Sequence, residues 1–166
     1  MDMKTIINQL KLTPHPEGGW FKEVGHSSIK QLDEIAQAQR YQYTSIYFLL
    51  SHSSPSHFHQ LKHDELWFFH DGAAVTIHCL MPDHSYQKIV LGSDLDAGQV
   101  LQATVRAGVI FGSEVSDHAE FGLVSCVVAP GFDYQDFKLF TKAELNAVYP
   151  QVTSVIDRLA YATLPD

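Results

Sequence analysis

Pro55-Ser-His-Phe-His-Gln-Leu-Lys-His-Asp-Glu-Leu-Trp-Phe-Phe-His-Asp-Gly72 is the stretch in which histidine, carboxylate and aromatic side chains crowd together. His57 and His59 stand two apart, and in an extended strand that parity puts both imidazoles on one face. Their Cα atoms would then lie roughly 6.6 Å apart, close enough for two rings to converge on one cation. Glu65 returns after a short connection and opens a second apolar run, residues 66–69. Two histidines and a carboxylate make the mixed N/O set that borderline divalent metals accept. The same set can grip a substrate or move protons. The pattern marks a site more firmly than it marks a metal.

Outward from this stretch, strand-like runs follow one another at 43–50, 56–59, 65–69, 74–80, 86–91, 100–105, 109–114 and 121–129. Turn signals separate them at Asp71-Gly72, Pro82-Asp83, Gly92-Ser93, Ala107-Gly108 and Ser116-Asp117. Many short strands with no helix between them predict an all-β antiparallel sandwich or barrel. The run 43–50 is apolar on both faces, with Ile46, Phe48 and Leu50 on one and Tyr47 and Leu49 on the other, as in a strand lying between layers. A short amphipathic helix is predicted over 5–12, stopping at Pro14, and an edge strand over 20–24. Residues 29–40 read as a polar connection with some helical character. After Pro130-Gly131, Thr141 and Glu144 form a capping box that opens a helix ended by Pro150, and a second helix is predicted over 151–161.

The 166 residues are 45% apolar and 18% charged, which suits one globular domain, 1–166. A net charge of −8 with no basic patch argues against nucleic acid and anionic membrane as partners. The start lacks a secretory signal pattern, no apolar run approaches the length of a bilayer span, and Cys79 and Cys126 sit in apolar segments. A cytoplasmic, reduced protein is the expectation.

The spacing resembles the cupins, small jelly-roll β-barrels. Their first motif runs Gly, five residues, His-x-His, three or four residues, Glu, six residues, Gly; here His57-Phe-His59, Glu65 and Gly72 fit. Ser51 stands in place of the leading glycine, and five residues precede Glu65, so Asp64 competes for that position. In the second motif, Pro-x-Gly-x-x-His, Arg106 replaces the proline and Phe111 the histidine that serves as a fourth ligand in metal-binding cupins. More narrowly, Pro14-His-Pro-Glu-Gly-Gly-Trp-Phe, Thr44-Ser-Ile-Tyr-Phe-Leu-Leu, Ser56-His-Phe-His and Ala129-Pro-Gly-Phe-Asp-Tyr-Gln-Asp-Phe resemble the family called cupin type 5, or domain of unknown function 985. That resemblance implies the cupin double-stranded β-helix with short terminal helices, a homodimer, and a distant likeness to deoxythymidine-diphosphate-sugar epimerases. It brings no established activity.

The candidate site is therefore a cavity lined by His57, His59 and Glu65 that takes a small polar molecule of sugar or sugar-nucleotide type. His59, nearer the turn to Glu65, is the expected base of an epimerase or isomerase. Tyr47, Trp67, Phe69 and Phe111 are the expected aromatic wall, with Glu17 and His15 at the rim. A non-catalytic binder or sensor is the second reading. A metal-dependent cupin is the third, with a weakly held divalent metal on His57, His59 and Glu65. Glu114, Asp133 and Asp136 are expected at surface or turn positions, with minority roles replacing the lost ligand or orienting a histidine. Lys62 and His63 are expected in a solvated turn, and Trp20 and Phe21 supply the apolar surface for dimerisation.

Overall fold

Apolar rows on both faces of one strand require a layer on each side, and the structure, a computed structural model describing residues 2–116 and 118–165, supplies both. Asp117, half of one expected turn, lies outside the described residues. The chain opens with α1 (Met3–Leu10), β1 (Thr13–Pro14), β2 (Trp20–His26), β3 (Lys30–Asp33), β4 (Ala38–Tyr41) and β5 (Thr44–Leu50). It continues through β6 (Ser56–Leu61), β7 (Asp64–Gly72), β8 (Val75–Leu80), β9 (Tyr86–Leu91), β10 (Gln102–Val105), β11 (Ile110–Val115) and β12 (Gly122–Ala129). A 3₁₀ turn (Tyr134–Asp136) leads to β13 (Phe137–Leu139), α2 (Lys142–Val148), a second 3₁₀ turn (Pro150–Val152) and α3 (Thr153–Leu159).

One sheet has the order β1-β2-β5-β12-β7-β10 and the other β13-β6-β11-β8-β9. The chain alternates between them, so that β12 is seated between β5 and β7, and β11 between β6 and β8, all antiparallel. This is the expected jelly roll. Phe48, Leu50, Trp67, Ile77, Phe111 and Val124 fill the space between the sheets. Leu49 points the other way, under α1 with Ile6, Leu12 and Phe121. On the far side, Leu145, Ile156 and Leu159 of the C-terminal helices cover Phe58 and Leu80.

Several sequence readings need correction. The first helix begins earlier than expected because Asp2 caps it, accepting from the Thr5 amide at 2.9 Å, and it ends at Lys11, whose φ is 55°. The last helix starts only at Thr153, after a 3₁₀ turn with Pro150 in its first turn. Residues 29–40 are no helical connection: β3 and β4 pair as a hairpin. Asp33 accepts from the Ile35 amide at 3.0 Å and Gln37 takes φ 54°, which closes the turn. β2 is not outermost, since β1 pairs along it. Trp20 and Phe21 pack within their own chain, against the α1 cluster and the interior respectively. The large apolar side chains left exposed there are instead Val24, Ile29, Leu32, Ile35 and Tyr43. Among the described residues no helix is long and apolar enough to cross a membrane.

The hairpin is fastened by charge. Arg40 donates to both carboxylate oxygens of Asp136, at 2.7 and 3.1 Å, with both residues buried. Burial opposes ionisation of Asp136, and the guanidinium overcomes it, holding the carboxyl below its usual range. Lys62 reaches the same carboxylate at 3.4 Å, and His63, buried rather than solvated, pairs with Asp33. Replacing Arg40→Met strips the bidentate partner from a buried carboxylate and should lower the unfolding free energy in urea by roughly 3 kcal/mol. Adding Asp136→Leu removes both charges and should recover most of that loss. A single variant as stable as the parent would show that the pair contributes nothing.

Candidate functional site

The site begins with a fault in the strand register. Phe111 faces His59 and Ser113 faces Ser56, so two residues of β6, His57 and Phe58, oppose Gly112 alone. This is a β-bulge, and it breaks the alternation of side chains. A Cβ on Gly112 would lie 3.0 Å from the Ser56 carbonyl oxygen and 3.2 Å from the Phe58 nitrogen, which is why the position opposite the bulge carries no side chain. Ser56 and His59 consequently face the interior, while Phe58 is buried under the C-terminal helices. His57 and His59 do not share a face. The His57 ring stacks on Tyr161, centroids 3.8 Å apart and planes 14° from parallel.

His57 has a different task. Its backbone N–H and its Nδ1–H both donate to the carbonyl oxygen of Glu17, each at 2.7 Å. This pins the loop Pro14–Gly19 onto the start of β6. Gly18, at φ +107°, lets the loop approach so closely that a Cβ would stand 1.9 Å from the Pro55 carbonyl oxygen. The Gly19 amide donates to the Ser54 hydroxyl at 2.9 Å. The result drives Glu17 inside, not to a rim: Ser56 donates to its Oε1 at 2.7 Å, and its Oε2 lies 3.4 Å from His59 Nε2 and 3.5 Å from His15 Nδ1.

These groups line a cavity of about 110 Å³ between the sheets. Its polar members include His15, Glu17, His59 and Glu65; its walls are Phe21, Ile46, Phe48, Leu61, Val128, Phe132 and Tyr134. The Phe132 amide donates to the buried Thr44 hydroxyl at 2.9 Å, which seats the loop carrying Phe132 and Tyr134. Glu65 rather than Asp64 faces inward, its Oε2 accepting from the Trp67 indole N–H at 2.8 Å. Asp64 turns outward to Arg106 at 2.6 Å.

Protonation follows from the hydrogen bonds and the burial. His59 Nδ1 lies 2.8 Å from the His57 carbonyl oxygen, which can only accept, so the hydrogen is on Nδ1 and the Nε2 lone pair points into the cavity. Burial pushes His59 down to about 4 and, reinforced by neighbouring Glu17, pushes Glu65 up to about 8. Burial likewise raises Glu17 and lowers His15, each partly opposed by the attraction between them. Near neutrality the interior therefore holds a protonated carboxyl facing unprotonated imidazoles.

Of the residues expected at the site, His59, Glu65 and Glu17 come together. His57 stays behind as a clamp. Tyr47 lies on the outer face of β5, among the α1 cluster. Trp67 and Phe111 are core beneath the cavity, with the Phe111 ring 4.2 Å from that of His59, and Phe69 packs against the same core. Glu114 replaces no ligand, since it pairs with His78 at 3.0 Å and Arg158 at 2.7 Å. Asp133 caps the 3₁₀ turn and orients no histidine. The expected metal set His57, His59 and Glu65 does not converge, and no group of three ligating side chains among the described residues could hold an ion. Phe21, Phe48, Phe132 and Tyr134 were missed as wall. Only the parity of Phe48 with Ile46 along β5 signalled one of them.

Comparison with known proteins places this geometry. The family model described as Cupin superfamily (DUF985) matches residues 4–140. The uncharacterised protein YML079W of Saccharomyces cerevisiae is 32% identical over 155 residues, covering 86% of this chain and 76% of the yeast protein. A hypothetical protein from Leishmania major superposes with TM-score 0.92 at 40% identity, covering 97% and 99% of the two chains. Protein SO0799 of Shewanella oneidensis gives 0.90 at 38%, covering 98% and 99%. Oxalate decarboxylase of Bacillus subtilis shares the fold alone, with TM-score 0.56 at 13% identity, over 96% of this chain and 42% of that one.

The hydrogen bonding makes His59 legible to NMR. Long-range ¹H–¹⁵N spectra should show its ring as the Nδ1–H tautomer, unprotonated down to about pH 4. A midpoint near 6.5, the ordinary value for histidine, would show that the ring is solvated and the cavity open.

Proposed function

This chain belongs to the cupin superfamily, in the family described as DUF985, and on that premise we propose that its cavity binds a small polar molecule of sugar type and moves a proton on it, as an isomerase or epimerase does. The observation that carries the proposal is the opposed shift of two groups lining one cavity, Glu65 up to about 8 and His59 down to about 4. Environments that drive two titratable groups apart assign an acid and a base.

The step balances without a co-reactant. His59 Nε2 takes the proton from the carbon beside a carbonyl. The C–H electron pair becomes the new C=C bond, and the carbonyl π pair moves onto oxygen, which receives the Glu65 proton. Glu65 is left as carboxylate and His59 as imidazolium beside Glu17. His59 then returns its proton to the neighbouring carbon, or to the other face of the same carbon. Glu65 takes back a proton from the enediol hydroxyl whose oxygen becomes the carbonyl, so that both groups end as they began. Trp67 positions Glu65 through its indole N–H, and His57 positions Glu17 through the loop. Among the described residues no group of three ligating side chains is placed to hold an ion.

A second reading, a non-catalytic binder or sensor, is favoured by the depth of the His59 shift, because a base near 4 has little driving force at neutral pH. Solvent deuterium exchange into any compound that displaces the His59 signals separates the two. For an enzyme, exchange per unit of free protein should rise as His59 loses its proton near 4, hold a plateau, and fall as Glu65 ionises near 8. His59→Asn should lower it by about 10²–10⁴-fold while binding survives. Saturable binding with no exchange would leave the binder.

Pairing of two copies is also proposed, across the exposed Val24, Leu32, Ile35 and Tyr43 side chains rather than Trp20 and Phe21. Sedimentation should give a dimer, and a concentration-independent monomer would refute it.

A further inference from the structure

We propose that the compound this cavity acts on is an uncharged short-chain hydroxyketone or hydroxyaldehyde, and that carboxylates, phosphorylated sugars and sugar nucleotides are refused. The inference deepens the acid–base reading of the same cavity and rests on it.

The first observation is what lines the space. Three glutamates reach it, Glu17 and Glu65 buried and Glu23 half-exposed, and no lysine or arginine among the described residues lines it. The nearby cations are engaged elsewhere: Arg40 and Lys62 with Asp136, Arg106 with Asp64. His15 and His59 supply no positive charge, since burial keeps both rings neutral. A carboxylate or phosphate brought in here would lose its water and meet carboxyl groups, with nothing to neutralise it.

The second observation is size. A cavity of about 110 Å³ is smaller than the engineered space of roughly 150 Å³ that accepts benzene. A nucleotide does not fit it, whereas three or four carbons do, their C–H surface against Phe21, Phe48 and Phe132.

The third is the chemistry. Proton transfer from carbon to His59 and from Glu65 to oxygen turns neutral groups into one cation and one anion. A neutral substrate leaves the net charge of the cavity unchanged at every stage. Glu65 must keep its proton to act, and a substrate cation would compete for its charge. From the faces packed on Glu65 and His59, the titratable groups are His15, Glu17, Glu23, Cys126 and Tyr134; burial raises Cys126 and Tyr134, so neither adds charge near neutrality.

The test uses probes that share a methyl ketone and differ in charge: hydroxyacetone, pyruvate and aminoacetone, with dihydroxyacetone phosphate as the phosphorylated case. Each is incubated in deuterated buffer at pH 6 with the full-length protein and with His59→Asn, and incorporation is read by NMR. The expected result is exchange into hydroxyacetone at least about 10²-fold faster than into pyruvate or the phosphate, and lost in His59→Asn. Histidine-dependent exchange as fast into pyruvate or the phosphate would overturn the inference and leave proton transfer standing. Fastest exchange into aminoacetone would overturn it too, marking an ammonium site. No protein-dependent exchange into any of the four would overturn the inference together with the acid–base reading beneath it.

Discussion

The carbonyl oxygen of Glu17 accepts two hydrogen bonds from one residue, the N–H and the Nδ1–H of His57. That fork is available only because the bulge opposite Gly112 turns the His57 side chain out of the interior. The same bulge aims Ser56 inward, where its hydroxyl takes one oxygen of the Glu17 carboxyl. A single extra residue in β6 thus converts two equivalent histidines into one imidazole that faces the cavity and one clamp. It also brings in a carboxyl from forty residues away in the chain. Tyr161, stacked on His57 and donating to the Pro16 carbonyl oxygen at 3.1 Å, ties the end of the chain to the same loop.

The interior and the surface treat one residue type in opposite ways. Glu114, held by His78 and Arg158 against a smaller cost of burial, is driven down to about 2. Glu65, fully enclosed with only an indole N–H to help it, is driven up to about 8. Among the described residues the strong cation pairs fasten elements to one another away from the cavity: Arg40 closes the hairpin on the turn before β13, Arg106 closes the β6–β7 corner on Asp64, and Arg158 docks α3 on Glu114. No lysine or arginine among the described residues lines the cavity. Desolvation therefore governs the chemistry there, and it favours neutral groups on both protein and ligand.

Legibility from sequence divides along the same line. The capping box at Thr141 and Glu144 has both its bonds, because it is local: one turn of chain brings the partners together. The strand positions were readable because alternation is enforced by the pleat, and Glu65 kept its inward place through its spacing to Gly72. The hairpin over residues 29–40 was misread because its turn chemistry, Asp33 and Gln37, is carried by residues that also occur in helices. Tyr47 was misassigned because both faces of β5 are apolar, and which face looks inward depends on where α1 packs.

By itself the sequence determined an all-β antiparallel sandwich or barrel, its helical ends, and a polar site built on β6 and β7, since periodicity and spacing are properties of the chain; the jelly roll was implied by the family resemblance. Only the tertiary structure decided which histidine faces the cavity, that Glu17 joins it, and that aromatic rings from residues 21, 48, 132 and 134 close the walls. The reason is physical: strand parity is counted along one chain, but a bulge is defined by the partner strand, and burial, which shifts Glu65 and His59 in opposite directions, is defined by all of them at once.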